Sequence, residues 1–109
     1  MKWILPLYIG EKAEKKKQKI IRGIETGKFL LGTYVIMLST EAGNQLDIIE
    51  AAELKQPYYK EKDIVVVGIA SGKAEAVQVV ADIVSDAVNT TGEADVLAFF
   101  RIRQKRLKK

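Results

Sequence analysis

Neither cysteine nor histidine occurs in the chain. Their absence removes disulfides, thiolate nucleophiles, imidazole bases and every zinc site built from Cys or His. The groups left for chemistry are Ser, Thr, Tyr, Lys, Asp and Glu, and carboxylates are the only side-chain ligands left for a hard cation. Long apolar runs are missing too. The longest, from Phe29 to Leu38, falls far short of the roughly 18 residues that signal a membrane span, so no membrane partner is expected. The start, Met1 to Ile9, has the look of a secretion leader, but a charged run from Glu11 to Lys19 follows with no small-residue cleavage site before it. It reads as a strand, and a cytoplasmic setting is expected.

What is present is an ordinary globular composition, with 48% apolar and 29% charged residues over 109 positions. A chain of this size makes one domain and buries roughly two-thirds of its unfolded surface. The net charge of +4 is unevenly placed: six of the 18 basic residues, Arg101, Arg103, Lys105, Arg106, Lys108 and Lys109, lie at the C-terminus. The body is therefore slightly acidic, and the expected organisation is a single α/β domain over 1–100 with a basic tail over 101–109.

Trp3 to Ile9 reads as a peripheral strand because Pro6 removes one ladder donor, which suits an edge or a bulge. A surface helix is expected from Glu11 to Lys28, with Ala13, Ile20, Ile21 and Ile24 as its inward stripe and Gly27 as its stop. Thr33 to Ser39 is bulky almost throughout and belongs in the middle of a sheet. Glu41 to Asn44 reads as a turn. Gln45 to Glu50 returns as an antiparallel strand followed by a helical turn, or forms a helix capped by Asn44, with Pro57 closing the segment. Asp63 to Ile69 is the clearest buried strand. Lys73 to Asn89 carries apolar residues at helical spacing, namely Ala76, Val77, Val80, Ile83, Val84, Ala87 and Val88, ahead of Gly92. Asp95 to Ile102 fits a strand or a short helix capped by Asp95, and the helix is preferred.

The strand-to-helix turn Gly68-Ile69-Ala70-Ser71-Gly72-Lys73 is the best candidate for a ligand site, since backbone N–H groups, a hydroxyl and a Lys can together hold an anion. Its spacing is neither that of a P-loop nor that of a dinucleotide fingerprint, and the same residues serve equally well as a tight turn with Ser71 as cap. If the strands holding Tyr34 and Ile64 are parallel neighbours, Ser39 and Thr40 join Ser71, Gly72 and Lys73 at one sheet edge, with Gly10, Glu11 and Lys12 nearby. Tyr58 and Tyr59, beside Lys60 and Lys62, can stack a base or sugar, or anchor a loop. Arg101, Arg103, Lys105 and Arg106 can meet phosphates by counterion release, or form a solvated, frayed end. Asp47, Glu50 and Glu53 are the one acidic series with converging spacing and read as a solvated face. No metal, cofactor or catalytic residue is assigned.

The stretch from Leu46 to Tyr59, followed by Asp63 to Ala70 and then Glu75-Ala76 with the helix they open, resembles a group of small uncharacterised bacterial proteins. The resemblance spans about half the chain, implies a single-domain bacterial protein, and transfers no activity, cofactor or site. The expected fold is an α/β sandwich of two or three layers, a mixed sheet of about four strands with two main helices, ordered β-α-β-β-β-α plus a terminal element. A ferredoxin-like α+β arrangement is the alternative. A homodimer sharing a sheet edge, or sharing Phe99 and Phe100, is expected. A non-catalytic binding or protein-interaction module suits the sequence best, ahead of a nucleic-acid-associated protein and an enzyme or sensor for a small anionic metabolite.

Overall fold

The computed structural model describes residues 1–28, 30–39, 45–60 and 62–107, with side chains as far as Gln104. Among the described residues four strands, β1 (Lys2–Ile9), β2 (Thr33–Leu38), β3 (Leu46–Glu50) and β4 (Val65–Ser71), form one mixed sheet in the order β1-β4-β2-β3. β1 runs parallel to β4, while β2 is antiparallel to both β4 and β3. The helices are α1 (Glu11–Glu14), α2 (Lys17–Glu25), α3 (Pro57–Lys60), α4 (Lys73–Thr91) and α5 (Val96–Leu107), and a 3₁₀ turn covers Ala51–Lys55. This is the expected mixed α/β sandwich with β2 and β4 central. The first strand lies at an edge, not in the middle as a ferredoxin-like sheet requires.

Pattern and packing agree strand by strand. In β2, Val35 and Met37 join Ile49, Ile64 and Val66 on one face of the sheet, and Ile36 joins Val67 and Ala70 on the other, as a period of two demands. α4 and α5 cover the second face with Ile83, Ala87, Phe99 and Phe100. The first face receives Ile24 of α2, Leu54 of the 3₁₀ turn and Tyr59 of α3, while Ala13 and Ile20 close over Ile69. Segment 46–55 takes the strand-then-turn form, and 95–102 is helical.

Several local expectations change. The helix expected over 11–28 breaks at Lys15–Lys16 into α1 and α2, because the positions one turn after Ala13 are lysines, leaving the stripe nothing apolar to bury there. On α4 the buried line is Ala76, Val79, Ile83 and Ala87, while Val77 and Val88 are exposed at 54% and 43%. At 100° per residue those two sit more than 90° from the centre of the buried stripe. Gly68 belongs to β4, not to the turn. A Cβ there would stand 3.0 Å from the Tyr8 carbonyl oxygen and 3.1 Å from Val79 Cγ1, so its missing side chain lets α4 close onto the sheet. Phe99 and Phe100 are 6% and 2% exposed and lie in the core, so burial removes them as dimer-forming surface.

At β1 the ladder slips. Trp3 pairs with Val66 and Tyr8 with Gly68, so five residues of β1 advance against two of β4. Pro6 sits in this bulge at the sheet edge, where a residue without an N–H is tolerated.

Candidate functional site

The turn before α4 does not present an open anion cradle. Gly72 is the cap residue, at φ 92°, a left-handed value that suits glycine, and no side chain caps the helix, so Ser71 does not fill the capping role. The N–H of Ser71 donates to Glu75 Oε1 at 3.0 Å, the N–H of Ala13 donates to the same oxygen at 3.1 Å, and the N–H of Lys12 donates to Oε2 at 2.8 Å. The carboxylate of Glu75 is thus the anion held where β1 and β4 end side by side. Lys73 stays exposed at the first residue of α4.

Burial works to raise the Glu75 pKa, but the N–H groups of Ser71, Lys12 and Ala13, with the Lys12 charge, outweigh it and hold the carboxyl below its ordinary 4.5. A depressed carboxylate pKa stabilises the fold above the unfolded value, and that contribution disappears as pH falls through the folded one. Glu75→Gln is therefore expected to cost about 1–2 kcal/mol near pH 7. The gap to the wild type should narrow steadily below about pH 4.5, read from urea melts across that range.

Ser39 lies elsewhere. β2 and β4 are antiparallel, not parallel, and Thr33 pairs with Ser71, so Ser39 falls at the opposite end of the sheet, about 20 Å away at 3.3 Å per residue. Thr40 lies outside the described residues. Tyr59 packs into the core on the Val35 face, whereas Tyr58 is 49% exposed with its ring edge-on to Tyr59 at 5.0 Å and Lys62 Nζ 4.8 Å over its centre. Since α5 covers the other face, the tyrosine pair and the basic C-terminus do not form one surface. Asp47 and Glu50 pair with Met37 and Tyr34, three apart on a strand, and so point to opposite faces.

The basic segment is part of the fold at least as far as Arg103. α5 crosses the proposed boundary at residue 100 and continues to Leu107. Asp95 caps it, Oδ1 accepting the Ala98 N–H at 3.0 Å, and Gln45 Oε1 accepts the Val96 N–H at 2.6 Å. Arg101 is exposed, while Arg103 turns inward. The side chains of Lys105 and Arg106 lie outside the described residues.

Arg103 stands in a cleft between β1, α4 and α5. Its guanidinium lies 5.0 Å from the Tyr8 ring centre and 5.8 Å from that of Phe100, a stacking worth about 0.5–2 kcal/mol. Nη2 donates to the Pro6 carbonyl at 2.5 Å, and Nη1 is buried with no hydrogen-bond partner among the described residues. Tyr8 donates its hydroxyl to Asp86 Oδ2 at 2.5 Å. Burial, then the hydrogen bond and charge of Asp86, push the Tyr8 pKa far above its usual range against the pull of Arg103, so the hydroxyl remains a donor at neutral pH. Tyr8, Asp86, Asn89, Thr90, Phe99, Ile102 and Arg103 line an open cleft of about 350 Å³, within the range of small-ligand clefts.

No family model, curated protein or solved structure matches this chain. The cleft is accordingly read from its own residues. Sequence reasoning placed Arg103 in a tail and passed over Tyr8 and Asp86. One signal was available: Val96, Phe99, Phe100 and Arg103 stand at i, i+3, i+4 and i+7, which puts Arg103 on the inward face of α5. Nothing local marks Tyr8 or Asp86, which are 78 residues apart in the chain.

Proposed function

We propose that this protein is a non-catalytic binding module whose recognition site is the cleft between β1, α4 and α5. The observation that carries the reading is Arg103, stacked on two rings and anchored to Pro6 by one nitrogen while the other remains an unmatched buried donor. A buried unmatched donor costs about 1–3 kcal/mol, more when charged. A ligand bringing an acceptor such as a carboxylate, phosphate or carbonyl oxygen recovers that cost once the guanidinium turns Nη1 towards the cleft. Asn89 and Thr90 offer further hydrogen bonds, and Phe99 and Ile102 offer apolar walls for the ligand's body. Binding is favoured over chemistry because the ionisable groups of the cleft are engaged with one another: the Tyr8 hydroxyl is committed to Asp86, and the Arg103 guanidinium is stacked on the Tyr8 ring.

A bacterial source and a cytoplasmic setting belong to the same proposal. Among the described residues no helix is long and apolar enough to cross a membrane. The test is a thermal-shift and NMR titration screen with small carboxylates, phosphorylated metabolites, nucleotides and short nucleic acids. At a hundred times its dissociation constant a true ligand stabilises by about 2.7 kcal/mol. Arg103→Ala is expected to weaken such binding at least about tenfold, the loss of roughly one charge-assisted hydrogen bond. A ligand bound equally well by that variant, or a flat screen, overturns the reading. The point substitution is preferable to truncation at residue 100, which would remove Arg103 and the second half of α5 together.

A further inference from the structure

The two edges of the sheet are not alike. β1 carries Pro6 and a bulge, features that discourage another strand from pairing with it. β3 has neither. It is a run, Leu46-Asp47-Ile48-Ile49-Glu50, in unbroken register with β2 over five pairs and, among the described residues, with no strand on its other side. Its ladder phase follows from the hairpin end, where the Ser39 N–H donates to the Gln45 carbonyl at 3.0 Å. The alternation of hydrogen-bonded pairs then directs Asp47 and Ile49 towards β2, and turns the N–H groups of Leu46, Ile48 and Glu50 and the C=O groups of Leu46 and Ile48 outward. Among the described residues nothing hydrogen-bonds those outward N–H groups.

We propose that the outward edge of β3 pairs antiparallel with β3 of a second copy of this chain, about a two-fold axis at Ile48, to give one continuous eight-stranded sheet. The strand is complementary to itself in this register. Ile48 faces Ile48 of the second copy, Leu46 faces Glu50, and Asp47 faces Ile49, so no carboxylate opposes a carboxylate, and all three outward residues are paired. Centring on Asp47 sets Asp47 against its own copy, and like charges directly opposite are destabilising across strands. Centring on Ile49 leaves Leu46 outside the ladder. Leu97, 46% exposed and bordering the same depression as Gln45, adds apolar surface beside the start of β3. Because five residues of edge bury less than the roughly 1,200 Å² of a tight interface, the dimer is concentration-dependent.

The experiment is sedimentation of the full chain over a range of concentrations, with amide exchange followed residue by residue. The mass should rise towards that of a dimer. As it does, the amides of Leu46, Ile48 and Glu50 should slow at least about tenfold, while those of Asp47 and Ile49, already held by β2, stay unchanged. Ile48→Pro removes the central outward N–H without touching the β2 ladder, a placement that edge strands accept, and should weaken the dimer at least about tenfold. The exchange pattern of the unmodified protein decides the matter even if that variant folds poorly. A mass that stays monomeric, or a dimer in which the three outward amides exchange as in the monomer, overturns the proposal.

Discussion

Gly10→Ala is expected to destabilise the protein by about 3 kcal/mol, although the backbone of Gly10, at φ −63° and ψ 155°, suits alanine well. The cost comes from across the fold. A Cβ at Gly10 would stand 1.9 Å from Glu75 Oε1 and 2.3 Å from its Cδ and Cγ, so the carboxylate must leave the three N–H groups of Ser71, Lys12 and Ala13. Removing the carboxylate first should reverse the sign. In a Glu75→Ala background the alanine at position 10 meets no such obstruction and restricts the unfolded chain, which stabilises by about 0.4–1 kcal/mol. Urea melts of the wild type, both single variants and the double variant form the cycle. Simple additivity would show that Glu75 is not what excludes a side chain at Gly10.

Ile83→Ala is expected to cost about 2–5 kcal/mol. Ile83 is fully buried in the middle of α4, in the cluster that joins Ile36 of β2, Val67 of β4 and Phe99 and Phe100 of α5. The helix is 19 residues long and held at both ends, so it cannot collapse freely into the space a truncated side chain leaves. Val77→Ala on the same helix is the matched control. Its side chain is 54% exposed, and the change should fall within about 0.5 kcal/mol. Thermal melts should separate the two by at least several degrees, on the scale of about 4–8 °C per kcal/mol for a domain of this size. Equal midpoints would mean that α4 presents another face to the sheet.

The cleft, the carboxylate lock and the free edge share a physical origin in β1. Its bulge leaves the Pro6 carbonyl available to Arg103 and sets Tyr8 against Asp86, while its C-terminal end places Gly10 and the start of α1 around Glu75. The same bulge makes β1 a poor pairing edge and leaves β3 as the one suited to a second chain. Arg103 stacks on Tyr8 while the Tyr58–Tyr59 pair lies on the other face, so these residues do not form one continuous surface.

The order of elements was legible because it rests on short-range signals. The bulky run of 33–38, the aliphatic run of 65–70, the helical spacing over 73–91 and the glycine that ends it are all local, and the absence of Cys and His narrowed the chemistry by composition alone. Pairing direction was not legible, because either orientation of β2 against β4 buries the same Val35, Ile36 and Met37. Choosing the antiparallel one moved Ser39 away from Ser71. Glu75 as the occupant of the turn, and Arg103 as the cation stacked on Tyr8, were likewise decided by tertiary structure. Arg103 meets Pro6 across 97 positions and Glu75 meets Lys12 and Ala13 across more than 60, contacts that no spacing along the chain encodes, although the Ser71 N–H lies only four residues before Glu75.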